Sequence, residues 1–96
     1  MMSHFLKDLI LKRLKGLTEY ELVKYAEDYG FSISQEEAKK IIHYIKNNDI
    51  DPFQSSGRME LLKELTKITD MQTAKKAQRL FNEMIKTYGL EHLFKD

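Results

Sequence analysis

Apolar residues recur every three or four positions along almost the whole chain, in five separate stretches. Phe5, Leu6, Leu9, Ile10 and Leu14 make a broad stripe over residues 4–15, and Leu22, Val23, Ala26 and Tyr29 make a second over 19–29. Ala38, Ile41, Ile42 and Ile45 follow the i, i+3, i+4, i+7 template over 35–47. Leu61, Leu62, Leu65 and Ile68 mark 57–68, and Ala74, Ala77, Leu80, Phe81, Met84, Ile85 and Tyr88 mark 71–88. This period places one apolar face on each of five amphipathic helices. No stretch alternates with the period of two that a strand requires.

The boundaries carry their own chemistry. Leu17-Thr18-x-x-Glu21, Ile33-Ser34-x-x-Glu37 and Ile68-Thr69-x-x-Gln72 each set a hydroxyl three residues before Glu or Gln. In a capping box the hydroxyl accepts one orphan amide of the first turn, while the Glu or Gln side chain accepts the amide of the cap residue. Gly16, Gly30 and Gly89 stand where left-handed residues close helices. A last half-turn, Leu90 to Phe94, is expected to tuck Leu93 and Phe94 onto the core. The fold expected for residues 1–96 is therefore all-α: one compact bundle of five short helices with short loops.

The stretch "NNDIDPFQSSGRME", residues 47–60, looks most like a site, because Asp49, Asp51 and Glu60 fall in a calcium-loop frame. That frame puts Phe53 at a ligand position and Gln54 where the sharp turn needs glycine. The frame starting at Asn47 puts Pro52 at the glycine position and Arg58, a cation, at the essential carboxylate. A helix connector fits better: Asp51 caps, Pro52 starts a turn, Ile50 and Phe53 pin the loop, and Ser55 or Ser56 caps the next helix. Asp49 should stay wet. A ligand at this spot would be an anion at Ser56, Gly57 and Arg58, facing a helix N-terminus.

Residues 22–45 resemble a helix-turn-helix in outline, but the positions six and nine after Gly30 are Glu36 and Lys39, where that motif packs apolar side chains. The end that would approach DNA carries Gln35-Glu36-Glu37, the wrong charge for phosphates. A plain helical hairpin is expected instead. Overall, 16 basic residues balance 15 acidic ones, so net charge pulls the chain toward neither nucleic acid nor anionic lipid. Charge is nevertheless segregated. Lys7, Lys12, Arg13 and Lys15 face only Asp8 in residues 1–16, whereas residues 17–37 hold six acids against Lys24. Candidate polyanion contacts are therefore Lys12, Arg13 and Lys15 on the first helix, with Lys75, Lys76 and Arg79 on the fifth. Acids of the second helix are available to pair with the first set.

Other chemistry is thin. His4, His43 and His92 are scattered, and the helical neighbours of His43 include no carboxylate to orient the ring as a general base needs. The sequence has no cysteine, no zinc-ligand spacing, no phosphate-cradling glycine loop and no nucleophile elbow. No enzyme activity, metal or cofactor is expected. The longest apolar run is Leu9-Ile10-Leu11, against roughly 18 residues for a membrane span. Neither a membrane partner nor a secretory signal is expected, and a reducing cytoplasm suits the composition. The apolar inventory, by contrast, is generous for a small interior. Tyr20, Tyr25 and Tyr44 lie beside their helices' stripes, where they form a partner surface or cover core edges. Both readings stay open.

The run Leu17-Thr18-x-x-Glu21-Leu22-x-x-Tyr25-Ala26, then "ISQEEAKKI", Arg58-x-x-Leu61-Leu62 and "TAKKAQRLF", resembles the YqfT-like family of small uncharacterised proteins from Bacillus and relatives. The resemblance covers roughly residues 5–88 and implies a small soluble bacterial protein, with no catalytic or binding residue to carry over. The function expected is a helical interaction module with a protein partner or a second copy of itself. Nucleic-acid binding through the two basic faces is the alternative.

Overall fold

The computed structural model describes residues 2–94, with side chains from Phe5 onward. Five helices follow one another: α1 (Met2–Lys15), α2 (Glu19–Asp28), α3 (Gln35–Asn47), α4 (Ser55–Ile68) and α5 (Met71–Thr87). A single 3-10 turn, Glu91–Leu93, comes after α5. The five helices lie within two residues of their expected limits, and no strand occurs among the described residues.

Two of the three capping boxes form as expected. Thr18 Oγ1 accepts the Glu21 amide at 3.1 Å, and Glu21 Oε1 accepts the Thr18 amide at 3.0 Å. The Thr18 amide holds the Glu21 carboxyl below the usual carboxylate range; burial opposes this, and the Thr18 hydroxyl and Arg13 reinforce it. Ser34 and Glu37 repeat the exchange at 2.9 and 3.0 Å.

The third box does not form, because Thr69 belongs to the end of α4. Its amide and its hydroxyl both reach the Leu65 carbonyl, at 2.9 and 2.7 Å. The cap of α5 is Asp70, whose Oδ1 accepts the Thr73 amide at 2.7 Å. A carboxylate at the positive end of a helix outcompetes a hydroxyl there. Helix α4 also departs from expectation at its start. Gln54 is the N-cap and makes no side-chain bond, so Ser55 and Ser56 fall inside the first turn rather than capping it. The turn from Asp51 to Gln54 feeds the helix two residues earlier than the apolar period indicates.

Asp70 makes acid sensitivity predictable. Hydrogen bonds from the Thr73 amide, and then from the Thr73 hydroxyl, hold its carboxyl below the ordinary carboxylate range. A folded-state pKa below the unfolded one stabilises fully above the ordinary Asp value of about 3.9. That stabilisation drains away as pH falls through the lowered folded value. Urea midpoints of the wild type and Asp70→Asn should therefore converge as pH drops from 7 to 2. A gap that stays constant over that range would refute this role.

Gly30 and Gly89 have positive φ, 85° and 63°, and each closes its helix with paired bonds. Gly30 N donates to Glu27 O while Phe31 N donates to Ala26 O; Gly89 and Leu90 do the same to Lys86 and Ile85. Gly16 is a correction: its φ is not positive, and its amide simply extends α1 by bonding Lys12 O at 3.1 Å.

The main core lies where α2 and α3 fold together. Ala26, Phe31, Ile33, Ala38, Ile41 and Ile45 are buried, and Leu65 and Ile68 of α4 with Ala77 and Leu80 of α5 close over them. Ala26 and Ala38 are nearly inaccessible, which lets the two helix backbones approach closely. A second, aromatic cluster caps the loop side of the bundle. Phe53 lies 5.0 Å from Phe94 between ring centres, and Phe94 meets Phe81 edge-on at 5.5 Å. Leu93, 1% exposed, sits beside Phe94 in sequence as expected of a segment folded onto the core.

Candidate functional site

The 47–60 stretch is a tightly self-packed connector. Asp49 is exposed, Ile50 is half-buried, and Pro52 and Phe53 are buried. Asp51 Oδ1 turns onto its own loop and accepts the Phe53 amide at 3.2 Å. Glycine is required at position 57 because a Cβ there would overlap the Asp51 carbonyl oxygen. The Arg58 guanidinium reaches back to donate to Pro52 O at 3.1 Å and lies 5.8 Å from the centre of the Phe94 ring. Ser56, Gly57 and Arg58 are thus adjacent at the start of α4, with Gly57 and Arg58 engaged by the loop they follow. Among the described residues, no group of three or more His, Asp or Glu side chains is placed to hold a metal ion.

The three tyrosines stand in different settings. Tyr20 is 73% exposed. Tyr25 lies five positions further along α2, about 140° around the helix, and is paired one turn on by Tyr29, which is also exposed. Tyr44 lines an open groove of ≈ 480 Å³ between α3 and α4, with Lys39, Lys40, His43, Asn47 and Glu64 around it. Burial pushes its hydroxyl pKa up, and the charges of Glu60 and Glu64 add to the shift. His43 faces this groove. Asn47 Nδ2 lies 3.2 Å from its Nδ1 and donates to its carbonyl at 2.8 Å. The side chain of His4 lies outside the described residues.

The basic candidates separate into two settings at opposite ends of α2, a helix of 10 residues and therefore about 15 Å long. Near its start, Arg13 pairs with Glu21 at 3.5 Å, as the segregated charges suggest. Lys15 donates to the Asn48 carbonyl at 3.0 Å, bracing α1 against the end of α3. Lys12 is exposed. Near the far end of α2, Lys76 and Arg79 share a groove with Tyr29, Gly30, Leu80 and Glu83. The last turn of α2 carries Glu27 and Asp28, opposite in sign to what a helix C-terminus favours. Lys76 and Arg79 bring countercharge to that terminus, and Lys75 is exposed nearby on α5.

The apolar pattern misassigns one surface. Phe5 and Leu9 belong to the stripe expected to face the core, yet they are 64% and 48% exposed, one turn apart on α1. Leu6, Ile10 and Leu14 take up the contact instead and are half-buried. The signal is in the sequence: six apolar residues among the ten from Phe5 to Leu14 make a stripe wider than one neighbouring helix covers. Met84 and Tyr88 at the end of α5 form a similar exposed pair. Among the described residues, no helix is long and apolar enough to cross a membrane.

Comparison with known proteins adds kinship without chemistry. The chain is 33% identical over 75 residues to the uncharacterized protein YqfT of Bacillus subtilis (strain 168), an alignment spanning 78% of this chain and 89% of that relative. No solved structure matches the chain. Residues 2–85 match the model of DUF2624, described as a protein of unknown function, and the chain belongs to that family.

Proposed function

We propose that this protein is a non-catalytic helical interaction module that docks a protein partner through the outer face of α1, with a second copy of the chain as one form of that partner. The observation that carries this reading is the exposure of Phe5 and Leu9 on one helical face. A helix presenting apolar side chains one turn apart is what a groove or a neighbouring bundle recognises. The flanking Lys12 and Arg13 supply a polar rim around that apolar centre. A cytoplasmic setting suits a cysteine-free chain.

Replacing both residues, Phe5→Ser with Leu9→Ser, removes the face while leaving the core intact. Stability should change by no more than about 0.5 kcal/mol per site, as at other exposed positions. Light scattering over a concentration series should lose any self-association of the wild type. A partner co-purified from the source cells by tagged wild type should be lost from the variant. A wild type that stays monomeric and enriches no partner would overturn the proposal.

A further inference from the structure

The segment after α5 is held to the bundle by side chains rather than by backbone. Leu90 N bonds Ile85 O in the last turn of α5, Leu93 N bonds Leu90 O, and Phe94 N bonds Glu91 O. These backbone bonds all stay within the segment or the helix it follows. Leu93 is buried, and Phe94 makes ring contacts with the rest of the fold. The Phe94 ring enters a socket walled by Phe53 and Phe81, with the Arg58 guanidinium over its face. On the Phe53 ring lies a second cation, Lys7 Nζ, 5.5 Å from its centre. The socket residues Lys7, Phe53, Arg58 and Phe81 come from α1, the 48–54 connector, α4 and α5. All four lie inside the stretch that matches the family model, residues 2–85, whereas Leu93 and Phe94 lie beyond it.

We propose that this socket is a peptide-docking site, that Leu93 and Phe94 are its resident occupant, and that a partner protein inserts an aliphatic–aromatic pair in their place. The proposal rests on the interaction-module reading and assigns that module a second surface, separate from Phe5 and Leu9. The chemistry of the incoming segment follows from the socket. Two aromatic walls take a ring in tilted and edge-on contact, and a guanidinium above that ring favours an aromatic over a second aliphatic side chain. With Lys7 Nζ on the Phe53 ring, an acidic residue beside the incoming pair would complement the socket. Gly89, at φ 63°, closes α5 and sets the direction in which the plug leaves it. A tethered plug acts at an effective concentration of roughly millimolar, so it blocks weak ligands and yields to strong ones.

The test uses the full chain and a fluorescein-labelled peptide of sequence GLEHLFKD. In a variant with Leu93→Lys and Phe94→Lys the resident plug is repelled from the socket by Lys7 and Arg58. The peptide should bind this variant saturably and at least ten-fold more tightly than it binds wild type. Changing the peptide's Phe to Ala should abolish binding. Absence of saturable binding to the folded variant, or equal affinity for both chains, overturns the proposal. Relaxation dispersion on the wild type keeps it testable should the variant not fold. The Leu93 methyl groups should exchange with a minor open state while those of Ile41 stay flat; Leu93 opening only together with Ile41 overturns the proposal. A concentration-dependent dimer that exchanges its plug between copies overturns the partner reading in favour of self-exchange. Partner capture that depends on Phe5 and Leu9 but occurs without peptide binding sinks the socket alone. Peptide binding without that capture sinks the α1 reading alone.

Discussion

Gly57→Ala is expected to destabilise the protein by about 3 kcal/mol, the upper end of what overpacking costs. The sign is opposite to the general rule. Alanine inside a helix ordinarily gains about 1 kcal/mol over glycine, and Gly57 is the third residue of α4. Here the added methyl would occupy the space of the Asp51 carbonyl oxygen, which is rigid backbone. Relieving the overlap means moving the Asp51–Gln54 turn, and with it Pro52 and Phe53. A urea titration measures the effect, with Gly16→Ala as the control. At Gly16 φ is not positive and a new Cβ meets its nearest neighbour, Lys12 O, at 3.4 Å. That control should stay within about 0.5 kcal/mol of wild type. Equal effects at the two glycines would show that the close approach at Gly57 does not constrain the fold.

Phe53→Ala is expected to cost about 4 kcal/mol, enough to threaten folding in a domain of this size. Phe53 is 3% exposed, and its ring joins the loop to Phe94 on one side and to Lys7 of α1 on the other. Removing it leaves a cavity between elements whose backbones are fixed elsewhere. The connector is held by the Asp51–Phe53 bond and by Arg58, and α1 by Lys15 on Asn48. Collapse is therefore incomplete, and the cavity term adds to the lost transfer energy. Thermal unfolding followed by circular dichroism gives the number. Tyr20→Ala, which deletes an equally large but 73% exposed ring, should fall within about 0.5 kcal/mol of wild type. A Phe53→Ala loss below about 1 kcal/mol would show that the aromatic cluster adds little to the fold.

Helix positions were legible because they depend on chemistry within four residues of each boundary. Thr18 with Glu21 and Ser34 with Glu37 formed the boxes that their spacing announces. The errors lie where two adjacent residues compete for one job. Thr69 and Asp70 can both cap α5, and only the end of α4 decides between them, by claiming the Thr69 hydroxyl for Leu65. Gly16 looks like Gly30 in sequence but takes an ordinary helical exit, since the backbone at Leu17 bonds Leu14 and does not reverse into a left-handed closure. Of the candidate surfaces, Arg13 pairing with Glu21 was readable from segregated charge. The exposure of Phe5 and Leu9 was not, because a stripe's width says how much apolar surface a helix carries and not how much its neighbours cover. The demand for glycine at position 57 was equally hidden: it arises from a backbone six residues away that returns to touch α4.

The left-handed closure at Gly30, with Ser34 capping the next helix four residues later, bears on the order in which the protein assembles. Together they pre-form a helical hairpin whose partners are near in sequence, so bringing Ala26 against Ala38 closes only a short loop. The α2–α3 pair is accordingly the natural nucleus, and the aromatic end, which gathers Lys7, Phe53, Phe81 and Phe94, condenses on it later. Truncating Ile41→Val should slow folding, whereas truncating Leu93→Ala should chiefly speed unfolding. Chevron plots distinguish the two, and equal slowing of folding at both sites would place the nucleus elsewhere.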